Sequence, residues 1–121
     1  MMAQLTPILI IESDHAVGDT LQRALTEAGY ATARVVDGRQ ALHWLSRTRP
    51  VFVLLDPSLP DLSAEAVAAA VRGRYGDDLP IAVLAAGRRG DPRLPPIRAI
   101  TVLPTPLVLA DLLRTISRVV G

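Results

Sequence analysis

The stretch "VFVLLDPSLPD", residues 51–61, decides the reading of the whole chain. Five apolar residues in a row describe a strand buried on both faces, as in a parallel sheet covered by helices. The strand ends on a carboxylate, Asp56, with Pro57 directly behind it. An acid at the mouth of a buried strand is costly unless something uses or neutralises it.

Working outward, apolar runs alternate with helical patterns. The runs are "PILIIE" (7–12), "YATARVV" (30–36), "PIAVLAA" (80–86) and "AITVL" (99–103). After the first run, Asp14 is a candidate N-cap, and Val17, Leu21, Leu25 and Ala28 recur at helical spacing up to Gly29. Asp37-Gly38 reads as a turn pair. Ala41, Trp44 and Leu45 form a short apolar stripe, so Trp44 reads as core packing. Ser63 is placed to cap a helix carrying Ala66, Val67, Ala70 and Val71. Leu109, Leu112, Leu113, Ile116 and Val120 line a last helix. The expected fold class is α/β: a doubly wound five-stranded parallel sheet flanked by helices, one domain over residues 1–121. In "GRRGDPRLPPIR" (87–98) three prolines deny backbone donors, so the fourth of five helices should be short or distorted, or a loop.

Composition narrows the function. Half of the 121 residues are apolar, and the formal net charge of +1 argues against nucleic-acid binding through this domain. The absence of cysteine excludes disulfides, thiolate metal sites and cysteine catalysis. No basic segment precedes the first apolar run, and no run approaches a membrane span, so a cytoplasmic protein without membrane contact is expected. All 13 basic residues are Arg, so no Lys chemistry exists. His15 and His43 read as solvated.

In an open parallel sheet, ligands bind beyond the carboxyl ends of the strands where strand order reverses. Glu12-Ser13-Asp14, Asp56-Pro57-Ser58, Ala85-Ala86 and Pro104-Thr105-Pro106 should converge there, with Asp56 in the middle.

In "ILIIESD", "ALTEAGY", "VVDGRQALHWL", "RPVFVLLDPSLPDLS", "LPIAVLAA" and "LPTPL", taken in that order, the chain resembles the receiver domain of two-component response regulators, the CheY-like family. The resemblance implies that Asp56 accepts a phosphoryl group from a histidine kinase. It also implies an acidic pair and a backbone carbonyl that hold Mg²⁺, a Lys, a Ser or Thr, and an aromatic that changes rotamer with the acyl phosphate. Asp56 is kept; most of the rest departs. The acidic pair falls on Glu12 and Ser13, with Asp14 adjacent but better placed as a cap. The hydroxyl falls on Ala85, the aromatic on Val102 and the Lys on Thr105. Mg²⁺, whose ligands would be Glu12, Asp56 and the carbonyl of Ser58, should bind weakly, because a hard cation prefers anionic oxygens. Losing a donor that stabilises transition-state charge costs roughly 2.7–4 kcal/mol, so two such losses would slow phosphorylation greatly.

The reading that follows is a degenerate receiver, or pseudo-receiver: an interaction module rather than an enzyme, with no cofactor required. Its partner would be a signalling protein, either a histidine kinase or an output protein, and the sequence leaves room for a homodimer. Arg88, Arg89, Arg93 and Arg98 form the candidate partner surface. A phosphorylatable receiver with weakened Mg²⁺ binding is the alternative. A flavodoxin-like enzyme would need a phosphate cradle after the first strand, where this chain places acids that repel phosphate.

Overall fold

In a computed structural model that describes residues 6–85, 101–104 and 107–120, the elements follow the expected alternation. They are β1 (Ile8–Ile11), α1 (His15–Glu27), β2 (Thr32–Val35), α2 (Gly38–Arg47), β3 (Phe52–Leu55), α3 (Ala64–Tyr75), β4 (Ile81–Ala85), β5 (Thr101–Pro104) and α4 (Leu109–Val120). The region 87–98, where a short or distorted helix was expected, lies outside the described residues, as do Arg88, Arg89, Arg93, Arg98 and Thr105.

All strand pairs are parallel, in the order β2-β1-β3-β4-β5. β1 and β2 are shorter than their apolar runs by two and three residues. Alternate side chains of one strand feed two separate cores. Leu9, Ile11, Val53, Leu55, Ile81 and Val83 point to α2 and α3, where Leu45, Val67 and Val71 meet them. Ile8, Ile10, Phe52, Leu54, Ala82 and Leu84 point the other way, to Leu21 and Leu25 of α1 and Leu112 and Ile116 of α4. Helices therefore cover both faces, and the sheet is doubly wound.

Local chemistry sets the helix ends. The Asp14 carboxylate accepts from Val17 N at 3.1 Å and caps α1. At the other end Tyr30 N donates to Leu25 O and Gly29 N to Thr26 O, with Gly29 at φ +98°. That left-handed step is a Schellman stop that only glycine takes cheaply. Ser63 caps α3 through Ala66 N at 3.0 Å, as its position suggested. Asp37-Gly38 is not a turn pair: Asp37 caps α2 through Gln40 N at 2.8 Å, and Gly38 is the first helical residue. The reason is the spacing of Asp37 and Gln40: Asp37 accepts from Gln40 N, and Gln40 Oε1 reaches back past the cap to accept from Val36 N.

Trp44 packs half-buried against the α2/α3 core, in keeping with its reading. His43 is exposed, and so is His15, whose Nδ1 accepts from the Arg34 guanidinium at 2.9 Å. No helix among the described residues is long and apolar enough to cross a membrane.

Candidate functional site at the β1–β3 edge

The order β2-β1-β3 makes the chain reverse direction between β1 and β3, opening a crevice beyond their carboxyl ends. Ile11 pairs with Leu55, so the next residues, Glu12 and Asp56, emerge side by side. The backbone continues the ladder: Asp56 N donates to Ile11 O at 2.9 Å and Glu12 N to Val35 O at 3.1 Å. Both acids are pulled inward, with Glu12 6% exposed and Asp56 9% exposed.

Each Asp56 oxygen has a neutral donor. Ser13 Oγ donates to Oδ2 at 3.2 Å, and Ser58 N donates to Oδ1 at 2.8 Å. Asp14 N donates to Glu12 Oε2 at 3.1 Å. Burial, then a hydrogen bond to Asp56, pushes the Glu12 carboxyl up to about 7, although the Asp14 backbone donor works against them. The Asp56 and Asp14 charges raise it further. Near neutral pH Glu12 is therefore partly protonated, which eases its repulsion with the neighbouring Asp56.

The structure thus brings together Glu12, Ser13, Asp56 and Ser58. Asp14 stands at the same rim, but its carboxylate is committed to the α1 cap. The donor set fits a hard divalent cation poorly. It offers two carboxylates, one of them partly protonated, and a hydroxyl where a third anion would be wanted. No group of three or more His, Cys, Asp or Glu residues among the described residues could hold a metal ion. Ala85 ends β4 opposite Pro104, and Val102 pairs with Val83 one layer lower. The backbone therefore places Ala85 on β4, next to β3, and Val102 on β5, one strand further out.

One participant escaped the sequence reading. Asp61, in the loop after Asp56, accepts from Gly38 N at 2.8 Å and Arg39 N at 2.9 Å, the first two amides of α2, and from Leu62 N at 2.9 Å. Desolvation pushes its carboxyl up, but these backbone donors outweigh it and hold Asp61 below the ordinary carboxylate range. Beside it, Gly38 approaches so closely that a Cβ built there would lie 2.7 Å from the Leu62 Cβ. The loop that leaves Asp56 is thus fastened to the N-terminus of α2. An acid just ahead of the Ser63 cap was visible in the sequence, but nothing local said which helix it would serve.

Comparison with known proteins agrees with this architecture. Residues 8–93 match the response regulator receiver domain. The chain is 38% identical over 108 residues to the response regulator MprA of Mycolicibacterium vanbaalenii, covering 88% of this chain and 46% of that protein. The MprA of Mycobacterium leprae is 37% identical over 111 residues, covering 90% and 48%. The chain therefore spans about half the length of the curated relatives it matches. Among solved structures, the receiver domain of sensor histidine kinase PA1611 from Pseudomonas aeruginosa superposes with a TM-score of 0.87 at 26% identity, covering 98% of this chain and 99% of that one. That receiver has a magnesium ion coordinated in its active-site cleft. The signal receiver domain of a histidine kinase from Syntrophus aciditrophicus gives 0.82 at 28% identity, covering 94% and 89%. With a doubly wound sheet, an acid at the mouth of β3 and most of its length matched, the chain belongs to the response regulator receiver domain family.

Proposed function

We propose that this domain is a pseudo-receiver, a two-component signalling module whose contacts with a histidine kinase or an output protein do not depend on the usual phosphorylation switch. The observation that carries the reading is the Ser13 hydroxyl, donating to Asp56 Oδ2 at 3.2 Å where receivers have their second acid. A neutral donor there satisfies the buried carboxylate without a cation. Glu12 beside it is buried and bonded to Asp56, which leaves a poor seat for Mg²⁺. The sequence adds Ala85, Val102 and Thr105, none of which supplies the hydroxyl, aromatic or ammonium of an active switch.

The competing reading is a receiver that accepts a phosphoryl group on Asp56 with weak Mg²⁺ binding. It draws on the intact Asp56 at the strand mouth and on the magnesium of the PA1611 receiver. The two readings part on one experiment. The protein is incubated with acetyl phosphate, or with beryllofluoride and Mg²⁺, and followed by intact mass and amide NMR. A pseudo-receiver shows neither added mass nor shifts around residue 56, and Asp56→Ala binds the partner as the parent does. Added mass that disappears in Asp56→Ala would establish the competing reading.

A further inference from the structure

α2 carries no acid. Its sequence, "GRQALHWLSR", places Arg39, His43 and Arg47 four residues apart. Residues at that interval lie along one side of a helix, about 6 Å apart along its axis. The buried residues Gly38, Ala41 and Leu45 occupy the opposite side. Arg39, His43 and Arg47 are all exposed, so the outward pole of α2 is a basic line. Arg47 leans on His43 Nε2 at 3.5 Å, and among the described residues neither Arg39 nor Arg47 forms an ion pair with an acid.

The line continues past the helix. Arg74 of α3 donates to Ser46 O at 2.9 Å, which sets its guanidinium at the C-terminus of α2. Arg49 and Arg74 flank the Tyr75 ring, 5.6 and 5.7 Å from its centroid. The Tyr75 hydroxyl donates to the carbonyls of Leu45 and Thr48, which ties this platform to the last turn of α2. The nearest acids at the other end, Asp37 and Asp61, are both engaged with backbone amides of α2. Four arginines and a histidine thus gather on the outward side of α2 and at its C-terminal end.

We infer that the outward face of α2, continued by Arg49 and Arg74, docks an acidic helix of a partner protein. Charge complementarity selects the occupant: Glu or Asp at every fourth position of a facing helix repeats the spacing of Arg39, His43 and Arg47. A polyanion such as DNA fits less well. The whole chain carries only +1, whereas backbone binding draws on a broad positive field. The inference rests on the reading of the domain as a partner-binding module.

The test titrates the ¹⁵N-labelled chain with a synthetic alanine-based helical peptide bearing Glu at every fourth position. Amide shifts are expected over residues 39–49 and at Arg74 and Tyr75, weakening as salt is raised. The double variant R39E/R47E should bind roughly tenfold more weakly or worse, whereas Asp56→Ala should bind like the parent. If circular dichroism shows R39E/R47E to be unfolded, R39Q/R47Q decides, with a smaller loss of affinity expected. Shifts centred elsewhere, unchanged affinity in the folded charge variant, or tighter binding of a short DNA duplex to the same face would overturn the inference. Phosphorylation of Asp56 would sink the pseudo-receiver reading and leave peptide binding at α2 untouched, so the two failures are distinguishable.

Discussion

Glu12 makes a titration of stability. In the unfolded chain its carboxyl returns to 4.5, whereas in the fold it is pushed up to about 7 by burial and by the bond to Asp56. Between those values the native state holds a proton that the unfolded chain has released. Stability is therefore highest at the acid end of this window and falls as pH climbs through about 7. Glu12→Gln, an uncharged mimic of the protonated form, should flatten that slope and raise the melting temperature at pH 8 by about 2–5 °C. Thermal unfolding by circular dichroism from pH 5 to 8 checks this, and an unchanged slope in the variant would refute it. The residues of this pair were legible in the sequence because each follows an apolar run. The raised titration of Glu12 was not, since it depends on how close two strands bring the pair. Asp14 was legible for the opposite reason: an N-cap is decided within three residues.

At the scale of elements, the loop after β3 and the start of α2 form one unit. Asp61 serves the amides of Gly38 and Arg39, and Asp37 serves Gln40. Asp61→Ala should speed hydrogen exchange at the Gly38 and Arg39 amides by roughly tenfold or more, with the interior of α3 unchanged. Exchange at parental rates would mean that the fastening contributes nothing. Because backbone donors favour the charged form of Asp61, this fastening persists at neutral pH and weakens as its carboxyl protonates in acid. The order of strands and helices could be read from periodicity, and the caps from spacing. The tie between Asp61 and α2 spans more than twenty residues, and Asp37-Gly38 carries a turn signature that the Asp37–Gln40 cap overrides. Local patterns determine local hydrogen bonds; they do not say which distant helix end a loop acid will meet.

For the molecule as a whole, the sheet is the wall between two apolar cores, and alternate residues of β1, β3 and β4 serve both. Phe52, fully buried on the α1/α4 side, should cost about 3–5 kcal/mol when replaced by Ala. The single tryptophan, Trp44, reports from the other side of the sheet. If the cores melt as one, Trp44 fluorescence and far-ultraviolet ellipticity of Phe52→Ala should shift together to the same lower midpoint. Separate midpoints would show that the two sides melt independently.

The contact between Gly38 and Leu62 has a bearing on descent. The atom a side chain at 38 would strike first is the Cβ of residue 62, which every amino acid but glycine possesses. Divergence at 62 can therefore exchange everything beyond its first carbon without relieving the crowding. Lineages that keep this loop seated should stay fixed at 38, whichever apolar side chain packs against the core at 62.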